Sequence, residues 1–100
     1  MNSRHYIRDR QNREEIISKI GLGEAVATIR VDRGHPKGPE LHTITTTGII
    51  IIRNERSHKI VTKLIARPGQ IKRYFTDNEI IPTGLLDIAR QHQRLNYNYA

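Results

Sequence analysis

The chain reads as an α+β fold: one or two N-terminal helices, an antiparallel β-meander sheet of four to five strands, and a C-terminal helix. Ile49, Ile50, Ile51 and Ile52 are consecutive, and a strand of that composition buries two side chains on each face, whereas a helix would be ringed with β-branched side chains. Segments rich in β-branched residues flank this run on both sides and are separated from it by turn chemistry. Helical spacing of apolar residues, in contrast, is confined to the two ends of the chain.

Ser3 is an N-cap for a short helix over 4–11, with His5 in its first turn and Tyr6 and Ile7 as its apolar contacts. Asn12 with Glu15 three residues later approximates a capping box for a second helix, in which Ile16, Ile17 and Ile20 share a face. Gly21 and Gly23 end it. Residues 24–31 set Ala25, Ala27, Ile29 and Val31 against Val26, Thr28 and Arg30, the period of a strand with one face buried. Residues 32–39 hold two Gly and two Pro and form a loop. Residues 40–47 are the second strand, turning at Gly48 into the isoleucine run, which is the centre of the sheet. Asn54 to His58 is a polar hairpin turn, and 59–66 is the returning strand. Arg67-Pro68-Gly69-Gln70 places Pro and Gly at the central positions of a type II turn, so 71–75 follows as the last strand. Thr83 is then the N-cap of a final helix that turns Leu85, Ile88, Ala89 and His92 inward, and 96–99 reads as a frayed end. One domain over 1–100, ordered over about 3–94, accounts for the whole pattern, with helices covering one face of the sheet.

Cysteine is absent, which removes disulfides, thiolate nucleophiles and thiolate-bound zinc, and the longest apolar run is far too short to span a bilayer. With no apolar leader-like stretch at the start, a cytoplasmic protein without a membrane partner is expected. The net charge is +7, and the excess is concentrated. Residues 53–75 carry Arg53, Arg56, Lys59, Lys63, Arg67, Lys72 and Arg73 against Glu55 alone. Folded into adjacent strands, these cations form a patch for a phosphate backbone, with Tyr74 placed to stack on a base. A solubilising face or a Lys-protected edge strand is the plainer reading of the same charges.

His35 and His42 flank the Gly/Pro loop, with Glu40 between them. Two chemistries suit that grouping. One histidine is a general base on a ribose 2′-hydroxyl and the other a general acid on the leaving 5′-oxygen, with Arg67 or Lys63 stabilising the charged phosphorane. Alternatively, His35, Glu40 and His42 ligate a divalent ion, although no fourth ligand and no helix supports that pattern. Gly34 and Gly38 lack the spacing and the following helix of a nucleotide-phosphate loop.

The order of elements, the basic character, and the segments 5–13, 34–42 and 61–68 together resemble the barnase, colicin and RelE type of small nuclease fold, in members from phages and mobile elements. The similarity covers most of residues 3 to 75. It implies a small, metal-independent, toxin-like endoribonuclease, without cofactor, whose site lies on the open face of the sheet. The alternative that it implies is a non-catalytic nucleic-acid-binding or interaction protein of the same fold. Residue by residue it implicates His5, His42, Thr45, Arg67 and Gln70, together with His35 and Tyr74. The implied partners are RNA, with DNA second, and an acidic antitoxin or immunity protein. This chain departs from the barnase pattern in having no Glu where the general base is expected.

Overall fold

The structure, a computed structural model, describes residues 3–76, 80–95 and 97, with side chains from residue 11 onward. The element order is α1 (Ser3–Ile20), β1 (Ala25–Asp32), β2 (Pro39–Thr45), β3 (Ile49–Asn54), β4 (Ile60–Ile65), α2 (Pro68–Tyr74) and α3 (Leu85–Arg94). The strands form one antiparallel sheet in the order β1-β2-β3-β4, so the α+β meander is the fold. The tail at Asn96 and 98–99 lies outside the described residues.

The isoleucine run does what its composition dictates. Ile50 is paired with Ile44 of β2 and Leu64 of β4, and Ile51 with Thr43 and Lys63. Ile50 and Ile52 join Ile44, Ala66, Ile71, Leu85 and Ala89 in one core, beneath α2 and α3. Ile49 and Ile51 join Ile65 and Ile17 in a second core, beneath α1. All four isoleucines are buried, each contributing roughly 1.5–3 kcal/mol. Both faces of the sheet are therefore covered, which corrects the expectation of one covered and one open face.

Three further expectations change. The two N-terminal helices are one, because nothing between Ser3 and Ile20 is Gly or Pro; Asn12 lies inside the helix, which ends where Gly21 takes φ +85° and its N–H bonds Ile17 O at 2.8 Å. Residues 68–74 form α2, capped by Arg67 and Phe75, in place of a type II turn and a fifth strand. Pro68 occupies the first turn, where its missing N–H costs nothing, and the Arg67 N–H donates to the Gln70 side chain at 2.9 Å. Ile71, Tyr74 and Phe75 all pack on the same core, at a spacing of three and four; adjacent residues of a strand could not both do so. Finally, the N-cap of α3 is Gly84 rather than Thr83, since the chain enters the helix with φ +85°, a conformation that strains a β-branched residue. None of the described helices is long and apolar enough to cross a membrane.

Candidate functional site

Alternation along β2 places Glu40, His42 and Ile44 on the face that carries α2 and α3. Ile44 is sealed under the helices. Two residues earlier, His42 lies at the edge of that cover, opposite Ile29 of β1 and Ile52 of β3, and Tyr74 from the last turn of α2 closes over it. Between sheet and helix a cleft of about 420 Å³ opens, floored by Ile29, Val31 and Leu64 and bordered by Arg33 and Arg73.

His42 is 1% exposed, and both of its ring nitrogens are engaged. Nε2 lies 3.1 Å from Glu40 Oε1, and Nδ1 is hydrogen-bonded to the Tyr74 hydroxyl, with ring centroids 5.6 Å apart. An ionised carboxylate only accepts, so Nε2 carries the proton and donates to Glu40. Nδ1 of the neutral ring then accepts from the Tyr74 O–H. Arg33 Nε–H also donates to Glu40 Oε1, at 3.1 Å. The result is a continuous chain from Arg33 through Glu40 and His42 to Tyr74, whose phenol stands in the cleft.

The hydrogen bond from His42 holds the Glu40 carboxyl below its ordinary value of 4.5; burial opposes this, and the Arg33 hydrogen bond adds to it. Burial pushes the Tyr74 phenol up from 10.0, against the charges of Arg33 and Arg73. The carboxylate is thus ionised and the phenol protonated at neutral pH. This is the arrangement in which an imidazole can take a proton from one partner while the other orients it and balances its charge.

The sequence-derived candidates are distributed unevenly around this chain. His42 and Tyr74 form it, although Tyr74 belongs to a helix and His42 is a buried position where an exposed strand residue was expected. Gln70 lines the cleft, but its side-chain oxygen is held by the α2 cap. Arg67 is the N-cap residue of that helix and is exposed. Thr45 is buried and faces away from His42: its hydroxyl accepts the Ile49 N–H at 3.2 Å and is 3.1 Å from the Thr47 hydroxyl, so it shapes the β2–β3 turn. His35 is exposed in the β1–β2 turn. His5 belongs to the first turn of α1, and its side chain lies outside the described ones. Among the described residues no three His, Asp or Glu side chains are grouped to hold a metal ion.

The expected single patch of cations is divided. Arg56 and Lys59 are exposed at the β3–β4 hairpin, and Arg53 is half-buried at the end of β3, opposite Leu41 and Ile60. Lys63 lies against α1, beside Glu14 and Ile17. Lys72 and Arg73 are carried by α2, on the other side of the sheet. Glu55, the one carboxylate of this region, is bonded by Arg30 at 2.6 Å.

Arg33, and Glu40 as the hydrogen-bond partner of His42 rather than a metal ligand, are the members of this chain that sequence reasoning missed. The signal was the two-residue spacing of Glu40 and His42, which puts both on one face of a strand. No family model matches the chain, and no curated protein or solved structure matches it.

Proposed function

We propose that the protein is a small ribonuclease that cleaves single phosphodiester links by transesterification, with Tyr74 as the group that meets the substrate. The observation that carries this reading is the Glu40–His42–Tyr74 chain, with His42 buried at its centre, opening into a cleft bordered by Arg33 and Arg73. Tyr74 Oη takes the proton of a ribose 2′-hydroxyl as its own proton passes to His42 Nδ1. The 2′-oxygen forms a bond to phosphorus, and the phosphorane charge is met by the two guanidiniums. Glu40 stabilises the imidazolium that results. The bond to the 5′-oxygen then breaks, and that oxygen takes a proton from water. The products are a 2′,3′-cyclic phosphate and a free 5′-hydroxyl. Base and fixed charge are supplied by side chains and the acid is water, so the step proceeds in EDTA.

Tyr74→Phe tests the reading, because it removes one hydroxyl and leaves the ring packed. The expected loss in cleavage rate is about 10²–10⁴-fold. Purified wild-type protein at micromolar concentration that leaves both single-stranded and structured RNA intact from pH 5 to 9, yet retains RNA in a binding assay, makes the same cleft a binding site without catalysis.

A further inference from the structure

The cations bordering the cleft account for a phosphate, but they do not account for its floor. Ile29, Val31 and Leu64 come from the outer strands β1 and β4 and are only partly buried, whereas Ile44 and Ile50, on the same face, are sealed. A cleft that bound an anion alone would gain nothing from an apolar floor left open beside it. A volume of about 420 Å³ falls in the range of small-ligand sites, which pair apolar walls with a few placed polar groups.

We infer that this floor seats one unstacked nucleobase whose 3′-phosphate lies between Arg33 and Arg73, so that the substrate is single-stranded RNA, entered one nucleotide at a time. The inference rests on the ribonuclease reading for its substrate but not for its geometry. A planar ring covers the partly exposed aliphatic surface, with Tyr74 at its edge, while the ribose lies at the Tyr74 hydroxyl. A duplex keeps its bases stacked and paired and cannot reach a floor that lies beneath helix α2. Val31, Ile29 and Leu64 offer no hydrogen-bonding side chain, so the seat tells a base from no base far better than it tells one base from another.

The test is a titration of the intact protein with adenosine 3′-monophosphate and, separately, with ribose 3-phosphate, followed through the methyl signals of Ile29, Val31 and Leu64. The nucleotide should bind at least about 10-fold tighter, within the range base stacking supplies, and should shift those three signals. Val31→Asn should bring the nucleotide's affinity down to that of the sugar phosphate and leave the latter unchanged, which also reports that the variant is folded. Equal affinity for the two ligands, methyl signals that do not move, or no binding of either overturns the inference. A protein that shows the preference yet leaves RNA intact keeps the base seat and loses the ribonuclease reading. A protein that cleaves RNA while binding both ligands equally loses the base seat alone.

Discussion

The two histidines buried among the described residues sit at opposite ends of the β2–β3 hairpin, and the contrast between them lies in what each ring nitrogen meets. His42 lies at the open end, where both nitrogens meet side chains that exchange protons, Glu40 and Tyr74. His92 lies at the closed end. It is 6% exposed, its Nε2–H donates to the Thr47 carbonyl at 2.8 Å, and Nδ1 is buried without a hydrogen-bond partner among the described residues. A carbonyl accepts a hydrogen bond but never takes the proton, so this imidazole pins α3 to the β2–β3 turn. What decides the role of a buried histidine is the group beyond each nitrogen, since burial itself is common to both.

The largest effects should come from removing each ring. His92→Ala deletes a packed side chain and a buried hydrogen bond, with an expected loss of about 3 kcal/mol in urea unfolding. Its cleavage rate per folded molecule should stay within about twofold of wild type. His42→Ala should lose about 2–4 kcal/mol for the same reasons and, in addition, about 10²–10⁴ in rate. A folded His92→Ala protein with the catalytic defect of His42→Ala would end the distinction drawn between the two ends.

Gly48 sharpens the description of the closed end. It has φ +77°, and a Cβ on it would stand 3.1 Å from both His92 Nε2 and Ile88 Cγ2. Gly48→Ala therefore combines backbone strain with displacement of the pin, and about 2 kcal/mol should be lost in thermal or urea unfolding. Gly69 in α2 is the control. Its φ is not positive and nothing lies within 4 Å of the added carbon, so Gly69→Ala should stabilise by about 0.5–1 kcal/mol. A loss of stability there would mean that α2 is packed more tightly over the cleft than its surroundings indicate.

The sheet was legible because its signals are local. Four isoleucines in a row, Gly48 at the turn and the polar Asn54–His58 segment each point to a strand or a turn without reference to the rest of the chain. The segment 67–75 was not, because Pro-Gly begins a type II turn or a helix equally well. The choice was made by Tyr74 and Phe75 reaching the same core, which is a tertiary fact. The site divides along the same line. Glu40 and His42 are neighbours on one strand face and so within reach of sequence reasoning, while the Tyr74 and Arg33 contacts join residues whose proximity depends on how α2 and the β1–β2 turn fold back.

Acid should weaken the open end selectively. The folded-state pKa of Glu40 is lowered by its His42 hydrogen bond, so the stability it contributes is complete above its ordinary value of 4.5 and is lost as pH falls through the lower folded value. Replacing the ion by an amide keeps the shape and exchanges a charged hydrogen bond for a neutral one, and Glu40→Gln should cost about 1 kcal/mol near pH 6. The gap between variant and wild type should close as the pH is lowered past 4.5. A gap that is constant from about pH 6 to pH 3 would show that the Glu40 charge plays no part.

The smallest effect distinguishes the cleft cations from those of the hairpin. Each phosphate contact with a single strand contributes about 0.7 to the slope of log affinity against log salt. If the backbone passes between Arg33 and Arg73, changing both to Gln should flatten that slope by about 1.4, measured with a 2′-O-methyl oligonucleotide that cannot be cleaved. Arg56 and Lys59 are also exposed and carry the same charge, but they stand at the end of the β3–β4 hairpin rather than at the cleft. Their double change to Gln should leave the slope within about 0.3 of wild type, since charges that touch no phosphate release no counterions. The reverse ranking would move the nucleic-acid path to the hairpin and leave the Glu40–His42–Tyr74 chain without a substrate backbone beside it.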